Sequence, residues 1–120
     1  AIYYDSGQLI YEINYKRGIR NGLYRQFNRY GDLDINGFYE NGEYSGQWTY
    51  YLDGSIEKQG KYKDSLQTGI WKFWYPSGEL EAKRVYKNGW KDGEWIDYNE
   101  DGTIFVKTYW SDEEFVRENL

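Results

Sequence analysis

Gly69-Ile70-Trp71-Lys72-Phe73-Trp74-Tyr75-Pro76-Ser77-Gly78-Glu79-Leu80-Glu81-Ala82-Lys83-Arg84-Val85-Tyr86-Lys87-Asn88-Gly89-Trp90-Lys91-Asp92-Gly93 is the stretch that decides the fold. A short aromatic run leads into a Pro-Ser-Gly turn. A longer alternating run follows, then a Lys-Asn-Gly turn and a closing Asp-Gly. Two strands and two turns make a hairpin that feeds the next hairpin.

The same register runs through the chain. Turn glycines stand at Gly7, Gly31, Gly54, Gly78 and Gly102, and closing glycines at Gly22, Gly46, Gly69 and Gly93, with a period of 23–24 residues. The one-residue shortening falls between Gly46 and Gly54, which places a tolerant, exposed loop there. Aromatic columns share the period. Tyr24, Trp48, Trp71 and Trp95 follow each closing glycine, and Tyr3, Phe27, Tyr51, Trp74 and Tyr98 precede each turn. Leu9, Leu33, Ile56, Leu80 and Ile104 follow each turn glycine, and Tyr15, Tyr39, Tyr62, Tyr86 and Trp110 come later in the second arm. Ser65 stands in the column of Gly18, Gly42 and Gly89.

This pattern predicts an all-β fold: an elongated single antiparallel sheet of about five tandem hairpin repeats. The units are 1–22, 23–46, 47–69, 70–93 and 94–110 of one domain covering 1–120, with strands over about 47–51, 56–62, 70–74 and 80–86. At Ser111 the pattern breaks. Ser111-Asp112-Glu113-Glu114 fits a capping box, and Phe115, Val116 and Leu120 give a short apolar stripe. A short C-terminal helix over 112–119 is therefore expected to cap the last strand, within a cap of 111–120.

Parity along the strands predicts two faces. Phe27, Leu33, Ile35 and Tyr39 fall on the expected core face. Counting back from the turns places Trp48 opposite Gln59, Trp71 opposite Lys83 and Trp95 opposite Lys107, on a second, amphipathic aromatic face. A bulge in either arm inverts that count. The Trp column has two readings: structural packing, or an exposed binding track. The second makes Tyr24, Trp48, Trp71 and Trp95, with Lys83 and Lys107 beside them, the candidate partner-binding residues.

Composition bounds the chemistry. Six Trp, fifteen Tyr and five Phe supply the burial that sparse aliphatic residues do not. The chain has no His and no Cys, which removes imidazole catalysis, thiol chemistry, disulfides and ordinary zinc sites. No catalytic residue, metal site or cofactor is expected. Glu12, Glu57 and Glu81 read as solvated strand positions, with a carboxylate pair for glycoside hydrolysis left open. The net charge of −5, with scattered cations, argues against nucleic acid. No run is long and apolar enough to span a membrane as a helix. The chain begins inside a repeat without an initiating Met, which reads as a trimmed or processed product.

Tyr75-Pro76-Ser77-Gly78-Glu79-Leu80, Tyr86-Lys87-Asn88-Gly89 and Asp92-Gly93-Glu94-Trp95 resemble the MORN repeat variant. Tyr15-Lys16-Arg17-Gly18, Tyr39-Glu40-Asn41-Gly42, Gly46-Gln47-Trp48 and Gly69-Ile70-Trp71 carry the same pattern, so the resemblance covers residues 2–110. Tyr24 stands where Trp is usual, and Ser65 where Gly is usual. The arrangement is similar to the bacterial YwqK-type antitoxin family. That resemblance implies a non-enzymatic, monomeric protein-binding module, concretely an immunity or antitoxin protein that sterically covers a toxin domain in the cytoplasm. Two alternatives stay open: a carbohydrate or cell-surface binding repeat, and a membrane-associated scaffold, which the acidic balance disfavours.

Overall fold

A computed structural model describes residues 2–111 and, for the backbone alone, 114–119. The strands are β1 (Ile2–Tyr3), β2 (Leu9–Lys16), β3 (Ile19–Phe27), β4 (Leu33–Glu40), β5 (Glu43–Tyr44), β6 (Gly46–Leu52), β7 (Ser55–Lys63), β8 (Leu66–Trp74), β9 (Leu80–Lys87), β10 (Trp90–Lys91), β11 (Gly93–Tyr98), β12 (Ile104–Ser111) and β13 (Glu114–Asn119). They form one antiparallel sheet in the order β1-β2-β3-β4-β6-β7-β8-β9-β11-β12-β13, with β5 beside β4 and β10 beside β9. The result is a slab of 50 × 33 × 14 Å.

Turn chemistry sets the two long edges of the slab. Along one edge, Arg17-Gly18, Asn41-Gly42, Asp64-Ser65 and Asn88-Gly89 are two-residue turns with both residues at positive φ. This is the geometry that matches the twist of flanking strands. The N–H groups of Gly42, Ser65 and Gly89 donate to the carbonyls of Arg20, Tyr44 and Gln67, at 2.8, 3.0 and 2.8 Å, so each turn is tied to the unit before it. Along the other edge the turns are longer. The exception is Asp53-Gly54 (φ 49° and 83°), where the missing residue leaves a two-residue turn.

The core lies within a single layer. Tyr39, Trp48, Trp71, Ala82 and Ile96 are buried. Trp48 faces Gly60 and Trp71 faces Arg84 across their hairpins. Each of these indoles also lies flat over a small residue of the preceding unit, Trp48 over Gly37 and Trp71 over Gly60. The indole N–H of Trp48, Trp71 and Trp95 donates to the carbonyls of Phe38, Lys61 and Val85, at 3.0, 3.0 and 2.8 Å. Tyrosine rings close the sides edge-on, with Tyr39–Trp48 at 5.3 Å, Tyr62–Trp71 at 5.0 Å and Tyr86–Trp95 at 5.2 Å between centroids. Geometry of this kind adds to the area that the rings bury.

Two expectations are corrected. The first is the parity count. The ladders shift between Tyr50 and Tyr51, between Phe73 and Trp74, and between Asp97 and Tyr98, because each hairpin carries a bulge beside its turn. One extra residue inverts the side-chain count. Trp48, Trp71 and Trp95 therefore pair with Gly60, Arg84 and Thr108, not with Gln59, Lys83 and Lys107. They share a face with Tyr39, Tyr62 and Tyr86 rather than opposing it.

The second correction is the C-terminal helix. No helix occurs among the described residues, and Glu114–Asn119 is a strand that pairs with β12 from Ser111↔Glu114 to Lys107↔Asn119. A helix of eight residues is too short to hold itself together without a packed face. The open edge of β12 offers a row of backbone partners, which a strand uses and a helix does not.

Candidate functional site

On the long-turn edge, the backbone folds Tyr4–Gly7, Asn28–Gly31, Tyr75–Gly78 and Asn99–Gly102 into turns. In each, the glycine N–H donates to the carbonyl three residues back, at 2.8, 3.1, 2.9 and 2.9 Å. Each glycine has φ near +90°, where a side chain is strained. These turns project past the paired parts of the strands. β7 and β8 pair only from Lys58↔Phe73 inward, and β9 and β11 pair only at Ile96↔Lys83 and Asp97↔Ala82. Beyond those points neighbouring units part and leave grooves.

Two of these grooves adjoin. The first, about 460 Å³, is lined by Leu52, Asp53, Ser55, Ile56, Glu57, Trp74, Tyr75, Pro76 and Glu81. The second, about 450 Å³, shares Tyr75 and Glu81 and adds Asp97, Tyr98 and Phe105, with Arg84 beside Asp97. Arg84 Nη2 sits 3.3 Å from Asp97 Oδ1 and its guanidinium covers Phe73 and Trp95, so its charge is already engaged. The Tyr75 hydroxyl donates to the Tyr98 carbonyl at 2.6 Å and bridges the two units. Its pKa is raised, by desolvation first and then by the charges of Glu81, Glu100 and Asp97. Three carboxylates thus act on one phenol. At the far end, a third groove of about 520 Å³ holds Tyr3, Tyr4, Asp5, Ser6, Ile10 and Tyr30 with Arg29, whose guanidinium lies 5.6 Å over the Tyr4 ring.

The chemistry of the adjoining pair is aromatic and acidic. It can stack on a flat or cationic group and accept hydrogen bonds from it. Among the described residues no group of three His, Cys, Asp or Glu side chains is placed to hold a metal ion.

The residues singled out from the sequence lie elsewhere. Trp48 and Trp71 are 3% and 1% exposed, while Tyr24 and Trp95 are half-buried on the same face. Tyr24 stacks on Trp48 at 5.7 Å. Lys83 and Lys107 stand on the opposite face, flanking Ile96 in one cross-strand row. Lys107 Nζ pairs there with Glu94 at 3.4 Å. The six residues do not form one exposed surface.

Glu57 and Glu81 were named from the sequence as strand carboxylates and Trp74 as a column aromatic, but they were not joined with Tyr75 into one site. Their signal is visible in the sequence: Trp74 belongs to the pre-turn aromatic column, which the uncorrected parity count assigned to the core. Gly37 and Gly60 carried a second signal. They are the two glycines outside the turn and closing columns, and neither has a positive φ. A glycine that no turn requires points to a close approach by a neighbour.

The MORN repeat variant family matches at residues 2–17, 67–88 and 91–112, together half of the chain. The chain belongs to the MORN repeat variant family. No curated protein matches it. Among solved structures, this MORN variant array aligns with a mutant of S. aureus TarM in complex with fondaparinux, alpha-GlcNAc-glycerol and UDP. That alignment has 9% identity and a TM-score of 0.38, and covers 82% of this chain and 18% of that one. A second TarM structure aligns at 10% identity and a TM-score of 0.36, over 81% of this chain and 17% of that one. The array spans less than a fifth of either protein's length, and the likeness is too slight to bear on fold or function.

Proposed function

We propose that this MORN variant array is a non-enzymatic binding module that engages a protein partner along its long-turn edge. One observation carries the reading. Trp48 and Trp71 are buried inside the sheet, whereas Trp74, Tyr75 and Phe105 stand around open grooves between units, beside Glu57, Glu81 and Asp97. Aromatic anchors in a pocket with charged neighbours are what binding hot spots use. The absence of His and Cys from the sequence leaves the usual nucleophile–base pairs unavailable. The concrete form suggested by the YwqK-type resemblance is an antitoxin or immunity protein that works by steric cover, its acidic edge meeting a basic surface.

A carbohydrate-binding role is the second reading. The juxtaposition of Trp74 and Tyr75 with Glu57 and Glu81 favours it, since the same pairing of ring faces and carboxylates suits sugar rings and their hydroxyls.

A photo-crosslinking residue at position 74, with position 70 on the sheet face as control, tests the proposal in the source cell. The expected result is a protein adduct from 74 alone, competed by excess unmodified chain but not by a folded Glu57→Gln/Glu81→Gln chain. A glycan-array signal with no protein adduct would overturn the protein reading and support the second.

A further inference from the structure

One face of the sheet buries its own aromatic rings, and the other leaves large apolar side chains in solvent. Leu23 and Phe38 stand directly opposite each other on β3 and β4, on the face away from Tyr39 and Trp48, and are 54% and 39% exposed. A second apolar pair, Ile70 and Val85, occupies the same face two units along, with Ile70 52% exposed. Domains bury such a face against a second layer, and among the described residues all strands lie in one.

The residues around each pair decide what can cover it. Side chains two apart on a strand share a face. Leu23 is therefore flanked by Asn21 and Arg25, and Phe38 by Asn36 and Glu40, with Arg25 opposite Asn36. Aligned packing of two sheets keeps their strands within about 30° of each other. A second copy meets that condition through a two-fold axis running along the strands or across them. The first axis sets Arg25 over Asn36 of the second copy and Glu40 over its Asn21. The second sets Arg25 over Asn21 and Glu40 over Asn36. Either way the apolar pair meets itself, and each charge meets an amide that can hydrogen-bond it.

The Ile70–Val85 pair fails the same test. Lys72 and Lys83 stand opposite each other beside it, and Lys87 follows Val85 on the same face. The first axis sets Lys72 over Lys83 and the second sets Lys83 over Lys87, so like charges meet and this patch repels itself. The footprint centred on Leu23 and Phe38 spans β2, β3, β4 and β6. Four strands at about 4.8 Å, across a slab 33 Å wide, present about 600 Å² per copy, which reaches the low end of what specific interfaces bury.

We infer that a second copy of this chain covers the Leu23–Phe38 patch, giving a two-fold, face-to-face dimer. A two-fold pair closes on itself, so association stops at two, whereas pairing through an open strand edge continues. The grooves beside Trp74 lie beyond the footprint, and the dimer carries them twice. The pairing is independent of what those grooves bind.

Sedimentation velocity from low to high protein concentration tests this, with a shift from monomer to dimer and nothing larger expected. Leu23→Asp and Phe38→Asp, at exposed positions and with the fold confirmed by circular dichroism, are each expected to weaken the dimer about tenfold or more, because they place carboxylates at the centre of the contact. Ile70→Asp is expected to leave it unchanged. The chain has no Cys, so a short bis-maleimide reports the contact directly. It is expected to join two Leu23→Cys chains but not two Ile70→Cys chains. A monomer at every concentration overturns the inference, as does a dimer that Leu23→Asp and Phe38→Asp leave intact, or equal joining of the two cysteine variants. Assemblies larger than two place the contact at a strand edge and overturn it as well.

Discussion

Gly60→Ala is a one-carbon change aimed at the contact that makes the core. A Cβ at this position would lie 2.0 Å from Trp71 Cδ2, 2.2 Å from Cε2 and 2.4 Å from Cγ. These are atoms of a rigid ring, not the end of a flexible chain. Trp71 is 1% exposed, held by its bond to the Lys61 carbonyl and flanked edge-on by Tyr62 and Tyr86. To admit the methyl group, the indole must tilt, which breaks its N–H bond, or the strands must part. Overpacking costs about 1–3 kcal/mol and the lost hydrogen bond about 1 kcal/mol, so destabilisation of about 2–4 kcal/mol is expected. For a chain of this size that lowers Tm by roughly 10 °C. Denaturant unfolding measures the loss, and the Trp71 indole N–H should lose protection from hydrogen exchange. The sign is what discriminates. A strand glycine with free space above it gains stability, by about 0.4–1 kcal/mol, when replaced by alanine. A Gly60→Ala chain as stable as the parent, or more stable, would refute the idea that Trp71 is seated on this backbone.

Ser65, at φ 65°, accepts a hydrogen bond from the Tyr44 N–H at 2.9 Å and donates one to Glu43. Ser65→Ala keeps the backbone strain and loses both bonds, so it should cost about 1 kcal/mol. Ser65→Gly relieves about 1 kcal/mol of strain and should come out near neutral; urea titration of the two variants checks the order. Tyr24, Tyr39 and Tyr50 are all pushed above the ordinary value of 10.0, first by burial. Above about pH 10 the unfolded chain therefore releases protons that the folded chain keeps. Stability is full below that pH and falls above it, so tyrosinate absorbance should rise together with loss of near-ultraviolet circular dichroism. Early tyrosinate absorbance from an intact fold would contradict this. Replacing Arg84 by glycine should let Trp95 settle onto the backbone as Trp48 and Trp71 do, shifting its emission to the blue and lowering its quenching by iodide. Removing residues 112–120 bares the outer ladder of β12, and concentration-dependent association on a sizing column is expected.

Much of this architecture is written in local chemistry. The Arg17-Gly18, Asn41-Gly42 and Asn88-Gly89 pairs demand left-handed backbone and so fix one edge of the sheet. The predicted strand over 47–51 is Gly46–Leu52, and that over 80–86 is Leu80–Lys87. The bulges are not written so plainly. Nothing in Ile56-Glu57-Lys58 or Leu80-Glu81-Ala82, where the extra residue sits, marks a register shift, because a bulge is chosen by the twist of the paired strands rather than by its own side chains. That one unread residue moved the indoles to the wrong face and hid the edge grooves. At the C-terminus, Ser111 and Glu114 satisfy a helix rule that acts over four residues. The bare edge of β12 acts over a whole strand and wins.

The three indole hydrogen bonds all run the same way. Trp48 reaches back to Phe38, Trp71 to Lys61 and Trp95 to Val85, each to a carbonyl ten residues earlier. None of these three N–H groups waits for an acceptor further down the chain. During synthesis, each hairpin that leaves the ribosome meets its seat already in place, and closing a loop of about ten residues takes only about 10–100 ns. Translation at about 5–20 residues per second is slower by orders of magnitude. Assembly of this sheet can therefore keep pace with the growing polypeptide, one hairpin at a time, with no long-range closure left to the end.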